Sequence, residues 1–371
     1  MNSKTDLRIV AVDTREIDIP LSDPFAIVQG SLTVARNVFI RVTLANGVKG
    51  YGECAPFPDV TGEDRPGTLR AIEGLRGILI GRPVAAYRLI SRLMADADRA
   101  HPAARCGLEM AVLDALCRVL GVPMWAFFGG DSSLVCETDI TIPMLGEARC
   151  AELADHWYSR GFRTIKVKVG KNLEADFAMI QAIASRHSDV SFVIDANQGF
   201  REGEVVSLIN LLHRGHINVR LLEQPVHKSD LSGLLRIRRK AEFPICADES
   251  VACVKDAIRV IQADAVDVVN IKIMKCGVLE AVEIASLVRS FGLGVMFGGM
   301  VETRLAMGCS LAIAAGYGPP HTLDLDTPLL MTADPLTGGY YYDGPMMHRS
   351  DLPGLGMEPA DSTGFGSDGT T

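Results

Sequence analysis

Three acidic residues, Asp195, Glu223 and Asp248, stand 28 and 25 residues apart, and each closes a short apolar run in VIDAN, LLEQP and ICADES. One βα unit of an eight-fold α/β barrel occupies about that much chain, since such barrels run to about 250 residues. Carboxylates on successive strand ends would converge at one mouth of the barrel. All three offer oxygen, and none of the three is a histidine or cysteine, so the set suits Mg2+ rather than Zn2+. Any one of them alone could be a helix cap or a surface charge. Three on consecutive units are poorly explained that way.

Other strand ends bring amines. Lys166 and Lys168 are two residues apart in TIKVKV (164–169), so they share one face while Val167 and Val169 take the other. With the valines toward the helices, the lysines face the barrel interior, where a charge is costly unless it has a task. The alternative is a solvated face. On the sixth strand Asn270 and Lys272 share a face by the same alternation. The second and sixth strands of an eight-stranded ring lie opposite each other, so Lys168 and Lys272 would flank one substrate carbon. One amine removes a proton from one side and the other returns a proton to the opposite side, which inverts a stereocentre. A carbon beside a carboxylate is a very weak acid, and its enediolate calls for a nearby cation held by Asp195, Glu223 and Asp248. A lysine base must be neutral part of the time near neutral pH, and neighbouring positive charge and desolvation both work in that direction. Lys166 is expected to contact a substrate carboxylate oxygen rather than to act as the base.

The elements that must position these groups are eight short runs: 137–142, 164–169, 191–196, 219–224, 243–248, 266–273, 294–299 and 321–326. Helical stretches separate them, which means a parallel sheet, and eight is a count at which such a sheet closes. The expected fold class is α/β, a TIM-type (β/α) barrel over residues 131–328 with an α+β capping domain. An open doubly wound sheet is the alternative, but its GxGxxG turn is missing. Residues 1–130 read as the capping domain, with alternating segments, an Asn46-Gly47 hairpin signal and then apolar residues at helical spacing. Residues 329–371 are expected to pack back on that lobe, and 359–371 are too poor in apolar residues to order themselves.

Hydrophobic residues make up 48% of the 371 and charged residues 22%, as in ordinary globular proteins. The net charge of −8 argues against nucleic acid and anionic membranes as partners. No apolar run approaches the roughly 20 residues of a membrane span, and residues 1–10 lack a signal-peptide core. Nine cysteines without a CxxC pair read as small buried hydrophobes in a reducing cytoplasm. The expected partners are a small-molecule substrate and further copies of this chain.

KVK at 166–168, DAN at 195–197, EQP at 223–225, ADES at 247–250 and NIKIMKCG at 270–277 follow one another on successive strand ends. This series resembles the enolase superfamily, in its muconate-lactonizing-enzyme-like subgroup, over nearly the whole chain. The resemblance implies Lys168 and Lys272 as the acid–base pair, and one Mg2+ on Asp195, Glu223 and Asp248. ECAPFPDVTGED (53–64) looks like one of the family's active-site loops. On the eighth strand, Asp324 and Asp326 alternate with Leu323 and Leu325, so both face the mouth. Two more carboxylates in a pocket that binds an anion need a cationic partner, and a free α-ammonium serves; a capping turn before Thr327-Pro328 is the alternative. This DxD resembles the dipeptide epimerases, in which it holds the peptide amino terminus. By the same resemblance Thr141 and Met300 lie against the substrate. Glu302 is either a protonated acid donating to the enediolate or a paired surface carboxylate. Specificity is assigned to the capping loop DPFAIVQGS (23–31), where Ala-Glu epimerases carry an arginine. Here Gln29 and Gly30 stand there, and no arginine comes before Arg36. That departure points away from an acidic second residue and toward a neutral or hydrophobic dipeptide.

The expected reaction is therefore Mg-dependent epimerisation of a dipeptide at the α-carbon of its C-terminal residue. The rivals are other enediolate reactions on the same scaffold: cycloisomerisation, o-succinylbenzoate synthesis or N-acylamino-acid racemisation. Their substrates lack a free ammonium and would leave Asp324 and Asp326 idle. A catalytically silent metal-binding protein is the remaining alternative.

Overall fold

The computed structural model describes residues 6–28, 30–131, 136–318, 320–360 and 363–365. The first lobe opens with an antiparallel sheet of β1 (Ile9–Ala26), β2 (Ser31–Leu44) and β3 (Lys49–Cys54). The turn at Asn46-Gly47 joins the last two strands, with Gly47 at φ 89°, a conformation glycine adopts without strain. Helices α1 (Pro58–Thr61), α2 (Arg65–Leu79), α3 (Tyr87–Ala97), α4 (Pro102–Leu120) and α5 (Met124–Phe127) follow. The middle helix, α4, is buried nearly all round because it lies between the sheet and the barrel. It reaches the sheet closely through glycine: a Cβ on Gly52 would come 2.0 Å from the Gly107 carbonyl oxygen.

The chain then builds one eight-stranded parallel sheet in sequence order: β5 (Ile140–Ile142), β6 (Thr164–Lys168), β7 (Ser191–Asp195), β8 (Val219–Glu223), β9 (Ile245–Ala247), β10 (Val268–Ile271), β11 (Gly294–Gly298) and β12 (Thr322–Asp324). The short β4 (Cys136–Glu137) precedes them. The ends of the sheet meet: Thr138 bridges Leu323 in parallel, and Asp139 N donates to the Leu323 carbonyl at 2.9 Å. This nearly closed (β/α) barrel with its capping lobe is the expected fold class. The outer helices are α6 (Glu147–Ser159), α7 (Leu173–Arg186), α8 (Glu202–Arg214), α9 (Leu231–Arg238), α10 (Val254–Gln262), α11 (Ile273–Cys276), α12 (Val278–Ser290) and α13 (Arg304–Tyr317). None is long and apolar enough to cross a membrane.

Val193, Leu221, Cys246, Val268 and Met296 form a separate apolar cluster. They come from five adjacent strands and face inward, so they plug the barrel as packed layers rather than leaving a pore. Two residues further along the same strands come Asp195, Glu223, Asp248, Asn270 and Gly298. The period of two thus lifts the polar site directly onto an apolar floor.

Three strand readings shift, the first being 137–142, which splits into β4, outside the barrel sheet, and the barrel strand β5. The sixth strand ends at Ile271, and Lys272 sits at the start of the one-turn helix α11. The eighth ends at Asp324, so Asp326 lies just past the sheet. After the barrel come β13 (Leu336–Gly338), β14 (Tyr341–Asp343), β15 (Met346–His348) and β16 (Met357–Pro359). Here β15 pairs with β4, while Leu355 N donates to Asp114 and the Arg118 guanidinium to the Met357 carbonyl, both partners lying on α4.

Candidate active site

Five neighbouring strands present Lys168, Asp195, Glu223, Asp248 and Lys272 at their C-terminal ends. In register, Lys168 stands beside Asp195, and Asp195 beside Glu223. The acidic trio is fully buried, and an amine closes it on either side. Lys168 Nζ donates to Asp195 Oδ2 at 2.6 Å, and Lys272 Nζ lies 2.8 Å from Asp248 Oδ2. Burial alone would raise Asp195, but Lys168 and then Lys166 hold its carboxyl down at about 2. Burial also works against Asp248, yet Lys272 and Lys275 hold it well below the usual range. Glu223, between them, is pushed up to about 7 by burial and by the Asp195 charge. Burial opposes the charge of Lys272, but Asp248 outweighs it and raises its pKa well above the ordinary value.

The donor set fits a hard divalent cation. It is all oxygen, and two of its atoms, Glu223 Oε2 and Asp248 Oδ2, have no aligned hydrogen bond. Each only touches an ammonium, Lys166 at 2.9 Å and Lys272 at 2.8 Å. Buried carboxylate oxygens held this way are free to accept a metal ion.

Lys166 lies deeper than expected. It is fully buried, and its ammonium meets Asp324 Oδ2 at 2.7 Å, Glu223 Oε2 at 2.9 Å and Asp195 Oδ2 at 3.1 Å. Burial disfavours its charge, but Asp324, Glu223 and Asp195 together raise its pKa well above the ordinary value. Counting residues along a strand fixes the face, not the depth, and Lys166 is the inner of the two lysines on β6.

Asp324 and Asp326 both turn inward. Asp326 Oδ2 accepts from Thr141 N at 2.6 Å, which brings the expected threonine and the DxD together. Burial, then the Asp324 charge, pushes Asp326 up to about 7. Met300 is buried just after β11, and its N–H donates to Glu302 Oε1 at 2.8 Å. Glu302 is not a surface carboxylate: it is fully buried, burial pushes it up to about 8, and its Oε2 has no partner. Gln29 lies outside the described residues. Nearby, the Phe25 ring stands 5.7 Å from Lys168 Nζ.

Several residues had no role assigned to them from the sequence. Asp139 lies with Asp324 and Asp326, one oxygen from each within 4.8 Å of the others. It stands two residues before Thr141 on the same face, so period-two counting could have found it. Lys275 is buried and donates to Asp248 Oδ1 at 2.6 Å and to the Asp248 carbonyl at 2.7 Å. A tight turn after β10 brings it there, and strand alternation carries no such signal. Asn270 Nδ2 donates to Glu223 Oε1 at 2.7 Å. Gln224 Oε1 accepts from the backbone of Asp248 and Ser250, tying the second acidic strand end to the third. Gln224 and Asn197 hold φ of 36° and 40°, rare for side-chain-bearing residues, where the chain leaves these strands.

A barrel with buried acids at its strand ends, amines on both flanks and a capping lobe above defines a (β/α)-barrel enzyme. The family described as mandelate racemase / muconate lactonizing enzyme, N-terminal domain, matches residues 9–129, and enolase C-terminal domain-like matches residues 149–363. The chain belongs to the enolase superfamily. It is 39% identical to an L-Ala-D/L-amino acid epimerase of Populus trichocarpa, over 92% of this chain and 82% of that one. It is 38% identical to an aromatic dipeptide epimerase of Herpetosiphon aurantiacus, over 95% of this chain and 99% of that one. A dipeptide epimerase from Enterococcus faecalis V583, complexed with Mg and the dipeptide L-Leu-L-Tyr, has the same fold. Its TM-score is 0.91 at 31% identity, over 95% of this chain and 99% of that one. Family and relatives together define an isomerase.

Proposed function

We propose that this protein is a dipeptide epimerase that inverts the α-carbon of the C-terminal residue. The observation that carries this reading is the order Lys168, Asp195, Glu223, Asp248, Lys272 on adjacent strand ends, beside a second set of carboxylates, Asp324 and Asp326, at the end of β12 and just past it. Asp195, Glu223 and Asp248 would hold Mg2+. When bound, that ion supplies positive charge beside the substrate carboxylate and lowers the cost of removing the α-proton.

The chain's own groups do the rest. Lys168 takes the α-proton from one face and Lys272 delivers one to the other, and the roles exchange in the reverse direction. Both lysines are nearly buried, at 5% exposure each, which limits proton loss to water. Asp324 and Asp326 receive the α-ammonium of the peptide's first residue, and Thr141 N fixes Asp326 for that task. Lys166 balances charge between the two acidic sets, and its ammonium would also reach a substrate carboxylate oxygen beside the metal site. Met300 and the loop that Glu302 anchors wall the pocket. Phe25 beside Lys168 and the absence of an arginine from residues 23–31 support a neutral or hydrophobic side chain on the second residue. The aromatic dipeptide in one relative's name and the L-Leu-L-Tyr bound to another fit that chemistry.

A library of L,L-dipeptides incubated with the enzyme and Mg2+ in D2O tests the proposal by mass spectrometry. The expected result is one deuterium, at the C-terminal residue only, and only in peptides with a free amino terminus. Exchange in N-acylated amino acids but not in dipeptides would favour racemisation of the kind that leaves Asp324 and Asp326 idle. No exchange in either would favour a silent metal-binding protein.

A further inference from the structure

We propose that Asp139 is a third binding residue for the substrate's α-ammonium, closing a three-carboxylate seat with Asp324 and Asp326. This rests on the dipeptide reading and extends it to a residue that the DxD motif does not contain.

Geometry comes first. One oxygen from each of the three side chains lies within 4.8 Å of the other two. Three points so placed always share a centre within about 2.8 Å of each, the length of a charge-assisted N–H···O bond. A primary ammonium carries three N–H donors in a tripod, so one nitrogen at that centre can address all three carboxylates. Asp324, at 6% exposure, forms the open side of the seat, and Asp139 and Asp326, at 1% and 0%, form its back.

The second observation is independent of the spacing. Both carboxylate oxygens of Asp139 and Oδ1 of Asp326 are buried without a hydrogen-bond partner. A buried acceptor left this way is costly, and each can be satisfied by a donor that arrives with the ligand. The backbone of Asp139 is held in the barrel's closing seam, where its N–H donates to the Leu323 carbonyl. Burial, then Asp324 and Asp326, drives Asp139 toward its protonated form, while Lys166 and Glu223 pull in opposite directions. With the Lys166 ammonium already on Asp324, the cluster suits one further positive charge, not the two of a second divalent ion.

The test uses the Mg-loaded full chain, with Asp139→Leu and Asp139→Asn assayed on a dipeptide that the wild type epimerises. Asp139→Leu is expected to raise KM by about tenfold or more, with the loss falling mainly on KM rather than kcat. Asp139→Asn keeps an acceptor and is expected to raise KM less, by roughly three-fold. Calorimetric binding of the dipeptide should follow the same order, while binding of its N-acetylated form should be equally weak in all three proteins. Should Asp139→Leu fail to fold, the rise in KM and the weaker calorimetric binding of Asp139→Asn carry the test. Unchanged KM in the folded variants, against an active wild type, would overturn the seat alone. A wild type inactive on every free-amine dipeptide would remove the dipeptide reading and the seat together.

Discussion

The Lys166 ammonium donates to Asp324 at 2.7 Å and touches Asp195 and Glu223 at 3.1 and 2.9 Å. One buried cation thereby joins the acids proposed for the metal to those proposed for the peptide's amino terminus. Replacing it by methionine, Lys166→Met, would leave both sets facing each other without compensation. The metal-free variant is expected to lose about 3–5 kcal/mol of stability, the usual cost of breaking a buried ion pair, and Mg2+ is expected to raise its melting temperature more than that of the wild type. Thermal unfolding with and without Mg2+ checks it, and an unchanged melting temperature of the metal-free variant would refute the balancing role.

Lys168→Ala and Lys272→Ala are expected to abolish epimerisation, each by about 10²–10⁴-fold, the usual range for a positioned acid or base. The two should differ in the exchange that remains. The variant that keeps the lysine facing the L substrate still exchanges its α-hydrogen in D2O without inverting it, and the other variant does so for the D epimer. NMR of both epimers checks this. Identical residual behaviour would argue against amines on opposite faces.

Stripping divalent ions with a chelator is expected to stop exchange, and Mg2+ to restore it. Glu223→Gln should lower the apparent Mg2+ affinity without lowering the melting temperature of the metal-free protein. Glu223 is buried among charges and already pushed up to about 7 by burial and Asp195, so a neutral side chain suits the metal-free site.

Burial lifts Glu302 from the ordinary 4.5 to about 8. The folded protein keeps this proton where the unfolded chain has released it. Stability from this group is therefore full below about 4.5 and is lost as pH rises to 8. The melting temperature of Glu302→Gln is expected to fall less than that of the wild type between pH 5 and 8. Scanning calorimetry across that window decides it, and parallel curves would count against a buried protonated acid.

Tyr342 OH donates to the carbonyl of Leu325, the residue between the two aspartates of the DxD, at 2.5 Å. Tyr340 OH lies 2.9 Å from Tyr342 OH. The segment after the barrel thus braces the proposed ammonium site from behind. Tyr342→Phe is expected to cost about 1–3 kcal/mol by leaving a buried carbonyl unpaired, and to raise the KM of free-amine dipeptides more than that of other ligands. Denaturant titration and steady-state kinetics measure the two effects.

Much of this was legible before any coordinates. The period of two along a strand assigns a face to each residue and brought Lys168 and Lys272 to the barrel's inner side, while the spacing of strand ends brought Asp195, Glu223 and Asp248 to one mouth. The spacing of the apolar runs gave the strand count, because each parallel strand needs a crossover helix of nearly constant length. Lys275 was not legible, since it reaches Asp248 through a turn whose path no periodicity encodes. Neither was the bracing of Leu325 by Tyr342, a contact between segments that pair only once the barrel has closed.

What the chain alone determined is composition by face: which side chains point inward, in what order, and on how many strands. That information is local, set by backbone geometry repeated every two residues. Tertiary structure decided depth and partnership. Lys166 and Lys168 share a face, yet one is sealed among three acids and the other has a single carboxylate beside it. Asp139 and Asp324 are 185 positions apart, and they meet only because the first and last strands close the ring. Distances of a few ångströms across that seam set the charge balance of the site, and no run of residues along the chain contains them.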